Sequence, residues 1–118
     1  MAAKLFSAGR TLVGNPGTPQ PVAVPTSVSG PGAPGLSTVH AVVIQALTAN
    51  TGKVYVGLQG LDKSSLANVL VVLPIPTANL VPSFSISLTT GANALSLSDL
   101  YIDADIPSEG VLISGVVA

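Results

Sequence analysis

Acidic residues near the C-terminus are the side chains of this chain best spaced for chemistry. Asp103 and Asp105 are two positions apart on a predicted strand, so both should project from one face, as paired catalytic acids or calcium ligands do. An EF-hand loop would need a ligand at 107 and glycine at 108, where Pro107 and Ser108 stand. The acidic cluster as a whole consists of Asp99, Asp103, Asp105 and Glu109.

A simple strand explains the same acids. If Ile102, Ala104 and Ile106 point inward, the alternating acids point outward into solvent. The sequence favours this solvated face, with a weak cation site as the first alternative and a paired-acid glycosidase as the second.

Nucleophilic and phosphate chemistry find no support in the sequence. His40 is the only imidazole, no serine lies in a Gly-x-Ser-x-Gly pattern, and there is no cysteine. Gly57-Leu58-Gln59-Gly60 lacks the lysine and the following helix of a phosphate loop. We expect His40 to pack structurally against a sheet surface or interface. The sequence therefore predicts a non-enzymatic protein without a cofactor or metal.

The chain is short, apolar and unusually poor in charge. Of its 118 residues, 47% are hydrophobic, 8% are charged and 3% are aromatic, and the net charge is −1. This composition argues against binding to nucleic acid or to a membrane surface. No apolar run is long enough for a signal peptide or a membrane span, so we expect a protein made and kept in a cytoplasm. A surface with so little charge favours a protein mostly covered by partners.

The elements that would position these residues are short strands. Their spacing, with Gly, Pro and Asn turns between them and no helix-length periodicity, predicts an all-β fold, a small antiparallel β-sandwich or barrel over residues 36–118. Greek key, jelly roll and meander orders all remain open. The predicted strands are Val39–Leu47, Val54–Leu58, Val69–Leu73, Ser83–Thr89, Leu100–Asp105 and Val111–Val117.

The strongest local signal is Ala49-Asn50-Thr51-Gly52, between two runs of β-branched residues. Asn and Gly tolerate the positive φ of a tight turn. The sequence therefore predicts a hairpin that folds Val54–Val56 back onto Val42–Ile44.

Residues 1–35 form a block rich in proline and glycine, which neither a helix interior nor a central strand accommodates. A disordered tail is one interpretation. The near absence of charge favours a second one, a long extended N-terminal arm that docks on a neighbouring subunit. The residues predicted to form this interface are Phe6, Leu12, Val13, Val22, Val24 and Val28.

Three motifs carry a family resemblance: Ala46–Gly57 (ALTANTGKVYVG), Leu97–Asp105 (LSDLYIDAD) and Gly110–Ile113 (GVLI). The region from Val39 to Val117 resembles small β-sandwich structural proteins of tailed bacteriophages. Those proteins tend to have a Pro-Gly turn where this chain has Pro82-Ser83. The resemblance implies a capsid cement or decoration protein.

The expected role is thus a non-enzymatic virion protein on the capsid surface, made in the host cytoplasm. It should bind and stabilise the shell through its arm and its β-domain. Its expected partners are the major capsid protein and copies of itself, as a dimer or trimer. Deleting residues 2–35 should then abolish binding and leave a folded β-rich core. The alternatives are a tail, fibre or head–tail connector component, and a carbohydrate-binding module on the virion.

Overall fold

The computed structural model describes residues 4–22, 38–87 and 95–117, and these form ten strands and one short 3-10 turn, Leu97–Asp99. The strands are β1 (Lys4–Val13), β2 (Gln20–Pro21), β3 (Thr38–Val39), β4 (Ala41–Ala46), β5 (Val54–Asp62), β6 (Ala67–Leu73), β7 (Ser83–Ser87), β8 (Leu95–Ser96), β9 (Tyr101–Ala104) and β10 (Glu109–Val117).

Eight of these strands form two four-stranded antiparallel sheets. Sheet A has the order β1-β10-β4-β7, and sheet B has the order β2-β9-β5-β6. The short strands β3 and β8 pair separately. The predictions of an all-β fold and of antiparallel pairing are therefore confirmed.

The inner faces of the two sheets share one hydrophobic core. In β4, Val42, Ile44 and Ala46 are buried while Val43 is exposed, as the two-residue period of a strand requires. The core is aliphatic apart from Phe6, in keeping with the low aromatic content. Its members are Phe6, Val13, Val22, Val39, Val42, Ile44, Ala46, Val54, Val56, Leu73, Leu97, Leu100, Ile102, Ala104, Val111 and Ile113.

The predicted hairpin between residues 42 and 56 is wrong. β4 pairs with β10 and β7, whereas β5 pairs with β6 and β9, so residues 47–53 carry the chain from sheet A to sheet B. The positive φ expected of this turn is also absent, since the described residues with positive φ lie elsewhere. Gly52 is needed instead for space, because a Cβ there would lie 2.7 Å from Cγ1 of Ile106.

The predicted division between an arm at 1–35 and a domain at 36–118 is wrong for residues 4–22. β1 pairs with β10 from Lys4 to Val13 as an edge strand of sheet A, and β2 pairs with β9 in sheet B. The prolines that suggested an arm begin only at Pro16, after β1 has ended. Residues 1–3 and 23–35 of the predicted arm lie outside the described residues.

Candidate functional site

The residues predicted to form an interface divide into three groups. Phe6, Val13 and Val22 are buried in the chain's own core, at 5%, 0% and 3% exposure, so they are not available to a partner. This corrects the prediction, because strand alternation turns these side chains inward. Leu12, on the opposite face of β1, is 37% exposed. Val24 and Val28 lie outside the described residues.

The outer face of sheet A carries little charge among the described residues. Strand register aligns its side chains in rows across all four strands. One row is Ser7, Ser114, Val43 and Ser85, and the next is Arg10, Leu112, Gln45 and Ser83. Arg10 is the one charged side chain described on this face. The exposed large hydrophobic side chains of the face are Leu5, Leu12, Val43 and Leu112.

Three of the six predicted interface residues are thus core residues, but the sequence contains the signal that finds this face. In β4 and β10 the buried aliphatic side chains alternate with side chains on the outer face. The outward-facing ones include Val43, Leu112 and Ser114. Apolar and hydroxyl side chains at the outward positions of a strand indicate a surface that does not need strong hydration. The pairing partner of each strand was still required to bring these residues together.

Asp103 is a structural residue in this fold, and the prediction that it lies on a solvated face is wrong. Its side chain is 1% exposed. Its Oδ1 accepts hydrogen bonds from the backbone N–H of Gly17 at 3.0 Å and of Ala104 at 2.8 Å. The segment between β1 and β2 covers the outer face of β9 at this point, so Asp103 fixes that segment to sheet B.

Asp105 lies just beyond the end of β9 and forms an ion pair with Lys63, whose Nζ is 3.4 Å from Oδ1. The same Nζ donates a hydrogen bond to the Ala104 carbonyl at 2.8 Å, and the Tyr55 hydroxyl donates to Asp105 at 3.4 Å. Burial raises the pKa of Tyr55, and the neighbouring Asp105 charge raises it further. Asp103 and Asp105 therefore have different partners and different exposure, rather than acting as a matched pair of acids. Ile106, predicted to point inward with Ile102 and Ala104, is 39% exposed.

Glu109 connects the start of β10 to the segment between the sheets. Its carboxylate accepts hydrogen bonds from the Thr51 N–H at 2.7 Å, the Thr51 hydroxyl at 2.8 Å and the Gly52 N–H at 2.9 Å. Beside it, the buried Asn50 side chain donates to the Gly110 carbonyl at 2.9 Å. Burial acts to raise the pKa of Glu109, but the hydrogen bonds from Thr51 and Gly52 outweigh it and lower the pKa.

Replacing Glu109 by Gln is expected to destabilise the fold by about 1 kcal/mol at neutral pH, because charge-assisted hydrogen bonds are lost at a partly exposed site. The lowered pKa means that the stabilisation by Glu109 is fully present above the unfolded-state pKa of about 4.3 and is lost as pH falls through the folded-state pKa. Chemical denaturation of both proteins at several pH values measures this difference.

Asp99→Asn is the matched control, because Asp99 is exposed on the 3-10 turn and should change stability by less than about 0.5 kcal/mol. The assignment of Glu109 fails if Glu109→Gln is as stable as wild type at pH 7, or if the difference persists unchanged well below the folded-state pKa.

His40 lies between β3 and β4 with intermediate exposure, and its backbone N–H donates to the Val116 carbonyl at 2.8 Å. Within residues 4–22, 38–87 and 95–117, no cluster of three or more acidic or histidine side chains is arranged to hold a metal ion. In the same ranges, no helix is long and apolar enough to cross a membrane.

Two shallow depressions lie on the side of sheet B. One, of about 320 Å³, contains Asp103 and Lys63, which are already bonded within the fold. The other, of about 280 Å³, is lined by Leu58, Gln59, Ser98, Asp99 and Tyr101. It combines one aromatic ring with three polar side chains.

Comparisons of the chain with protein-family models, with curated proteins and with solved structures found no match.

Proposed function

We propose that this protein is a non-enzymatic structural component of a phage virion, a cement protein that binds the capsid shell through the outer face of sheet A. The observation that carries the proposal is the character of that face. It spans four strands, exposes Val43 and Leu112, and carries Arg10 as its one described charge. A face with few charges and with exposed aliphatic side chains fits a protein–protein interface, whose buried centre is depleted of charged residues.

The order of the strands supports a jelly-roll β-sandwich for this role. The two main sheets contain eight strands when β3 and β8 are left out. Numbered 1 to 8 along the chain, these strands have the order 1-8-3-6 in sheet A and 2-7-4-5 in sheet B. The chain thus passes back and forth between two four-stranded sheets, as in jelly rolls, which are used by viral capsid proteins and also by lectins. Because one fold serves many functions, the surface has to carry the functional assignment.

The placement of the acids fits a structural role. Asp103, Asp105 and Glu109 are each occupied by hydrogen bonds or an ion pair within the fold. The partners we propose are the major capsid protein and further copies of this chain. Residues 23–35 remain a predicted additional contact.

Val43→Lys tests the proposal, because it places a charge in the middle of the outer face of sheet A. In co-sedimentation with capsid shells of the phage that encodes this chain, wild type should bind saturably. We expect Val43→Lys to weaken binding roughly 10- to 100-fold, since burying an unpaired charge in an interface is costly. Binding of wild type should depend only weakly on salt, because few ion pairs can form.

Ile106→Lys is the matched control, because Ile106 has nearly the same exposure, 39% against 38% for Val43, and lies between β9 and β10, outside the strands of sheet A. It should bind shells like wild type. Equal binding by Val43→Lys and wild type would exclude this face as the contact. Co-sedimentation with tails rather than shells would instead favour a tail or connector component.

Carbohydrate binding is the second candidate, and the depression around Tyr101 is the observation that favours it. An aromatic face beside the polar groups of Gln59, Ser98 and Asp99 is the combination that sugar rings stack on and bond to. A glycan array separates the two functions: glycan binding that Tyr101→Ala removes, without binding to shells, would replace the cement role.

A further inference from the structure

A long stretch of the chain carries no charged side chain. From Ser64 to Ser98 the sequence has no Asp, Glu, Lys or Arg, and this stretch contains both β6 and β7. β7 is an outer strand of sheet A, β6 is an outer strand of sheet B, and the two strands are in contact. An edge strand of each main sheet therefore belongs to this uncharged stretch.

The edge strands differ in how well they are protected against pairing with another chain. β1 has a bulge between Ser7 and Gly9 and an exposed Arg10, and β2 has only two residues, one of which is Pro21. Bulges, charges, proline and short length are the devices that normally prevent edge-to-edge association. β7 is five residues long and follows Pro82.

β6 is the longest of these edge strands without a charge or a proline. It has seven residues, Ala67-Asn68-Val69-Leu70-Val71-Val72-Leu73, with neither proline nor charge. Its pairing with β5 has two register shifts, and one of them leaves Leu70 without a partner on β5, with its side chain 47% exposed. Among residues 4–22, 38–87 and 95–117, β6 pairs only with β5, so no described strand pairs with its other edge.

Exposed apolar side chains lie close to β6 in the sequence. Leu66 precedes β6, and Ile75 and Leu80 follow it in the segment that leads to β7, at 54%, 49% and 63% exposure. Together with Leu70 they place four large hydrophobic side chains in solvent over a stretch of fifteen residues. Isolated surface leucines need no explanation, but a group of them along an open strand edge marks an interaction site.

We propose that β6 is a self-association edge, where two copies of this chain pair antiparallel about a two-fold axis and join their B sheets into one continuous sheet. A second copy fits because a two-fold interface brings each patch against itself. Any charge on β6 would then meet a like charge, and β6 has none. When two β6 strands overlap fully, residue 70, the middle of the strand, meets its own copy. This proposal does not depend on the virion role.

Leu70→Lys is the test, since it places two lysines opposite each other in the proposed pairing. Sedimentation velocity over a range of concentrations should show a wild-type dimer. We expect Leu70→Lys to raise the dimer dissociation constant roughly 100-fold through like-charge repulsion. Leu5→Lys, at the 76% exposed Leu5 on β1, should dimerise like wild type. Circular dichroism and denaturation curves confirm that both variants are folded.

Amide hydrogen exchange supplies an independent measurement on the wild-type protein. Amides of β6 should become more protected as protein concentration rises through the dissociation constant, and those of β1 should not. A monomeric wild type, or a dimer that Leu70→Lys leaves unchanged, would overturn the proposal. So would a monomer whose β6 amides gain protection only when capsid shells are added, which would assign this edge to the shell protein.

Discussion

Deletion of residues 2–22 is expected to unfold the protein. The deletion removes an edge strand of sheet A, since β1 pairs with β10 along its whole length. It also removes Phe6, Val13 and Val22 from the core. Loss of a single buried Phe costs about 3–5 kcal/mol, and a whole domain is stable by only about 5–15 kcal/mol. Far-UV circular dichroism and thermal unfolding should therefore show a loss of strand content and of the cooperative transition.

Point variants and a peptide separate this effect from a general intolerance to truncation. Phe6→Ala should lower the free energy of unfolding by about 3–5 kcal/mol, whereas Leu5→Ala, at an exposed neighbouring position, should change it by less than about 0.5 kcal/mol. A synthetic peptide of residues 1–22, added to the truncated chain, should restore strand content by taking the place of β1. A truncated chain that still unfolds cooperatively on its own would restore the interpretation of residues 4–22 as an arm.

Ile102→Ala is expected to be the most damaging truncation within the acidic segment. Ile102 is fully buried in β9, between Gln20 of β2 and Val56 of β5 in register. Removing its side chain leaves a cavity that costs about 2–5 kcal/mol. The melting temperature should fall by roughly 10 °C or more. Urea denaturation and calorimetry measure the change.

Ile106→Ala is the natural comparison, because the same alternating pattern predicts both side chains inward. Ile106 is 39% exposed, beyond the end of β9, so its truncation should cost less than about 1 kcal/mol. Equal losses for the two variants would mean that β9 continues past Ala104 with Ile106 in the core, which would contradict the described boundary.

Strand positions were largely readable from the sequence because a strand's two-residue period is a local property. Ser83–Ser87 alternates serine with Phe84 and Ile86, and both apolar side chains pack against the core. Val69–Leu73 and Val111–Val117 were likewise predicted close to their observed limits. The prediction missed β1 because it treated residues 1–35 as one proline-rich block. The first proline, Pro16, comes only after β1 has ended.

The roles of the acids could not be predicted in the same way. Asp103 is buried because Gly17, far away in the sequence, donates its backbone N–H to the carboxylate. Glu109 is engaged because residues 51 and 52 pass beside it on the way between the sheets. Spacing along the chain contains no information about either partner.

By itself the sequence determined the class of this protein: all-β, antiparallel, poor in charge and with an aliphatic core. Those properties follow from composition and from alternation along single strands, which need no knowledge of neighbours. Only the tertiary structure decided that residues 47–53 cross between sheets, that β1 is a sheet edge and that Val43 and Leu112 share one outer face. Each of these depends on which strands pair, and pairing between distant segments is set by the burial of all the inward faces together.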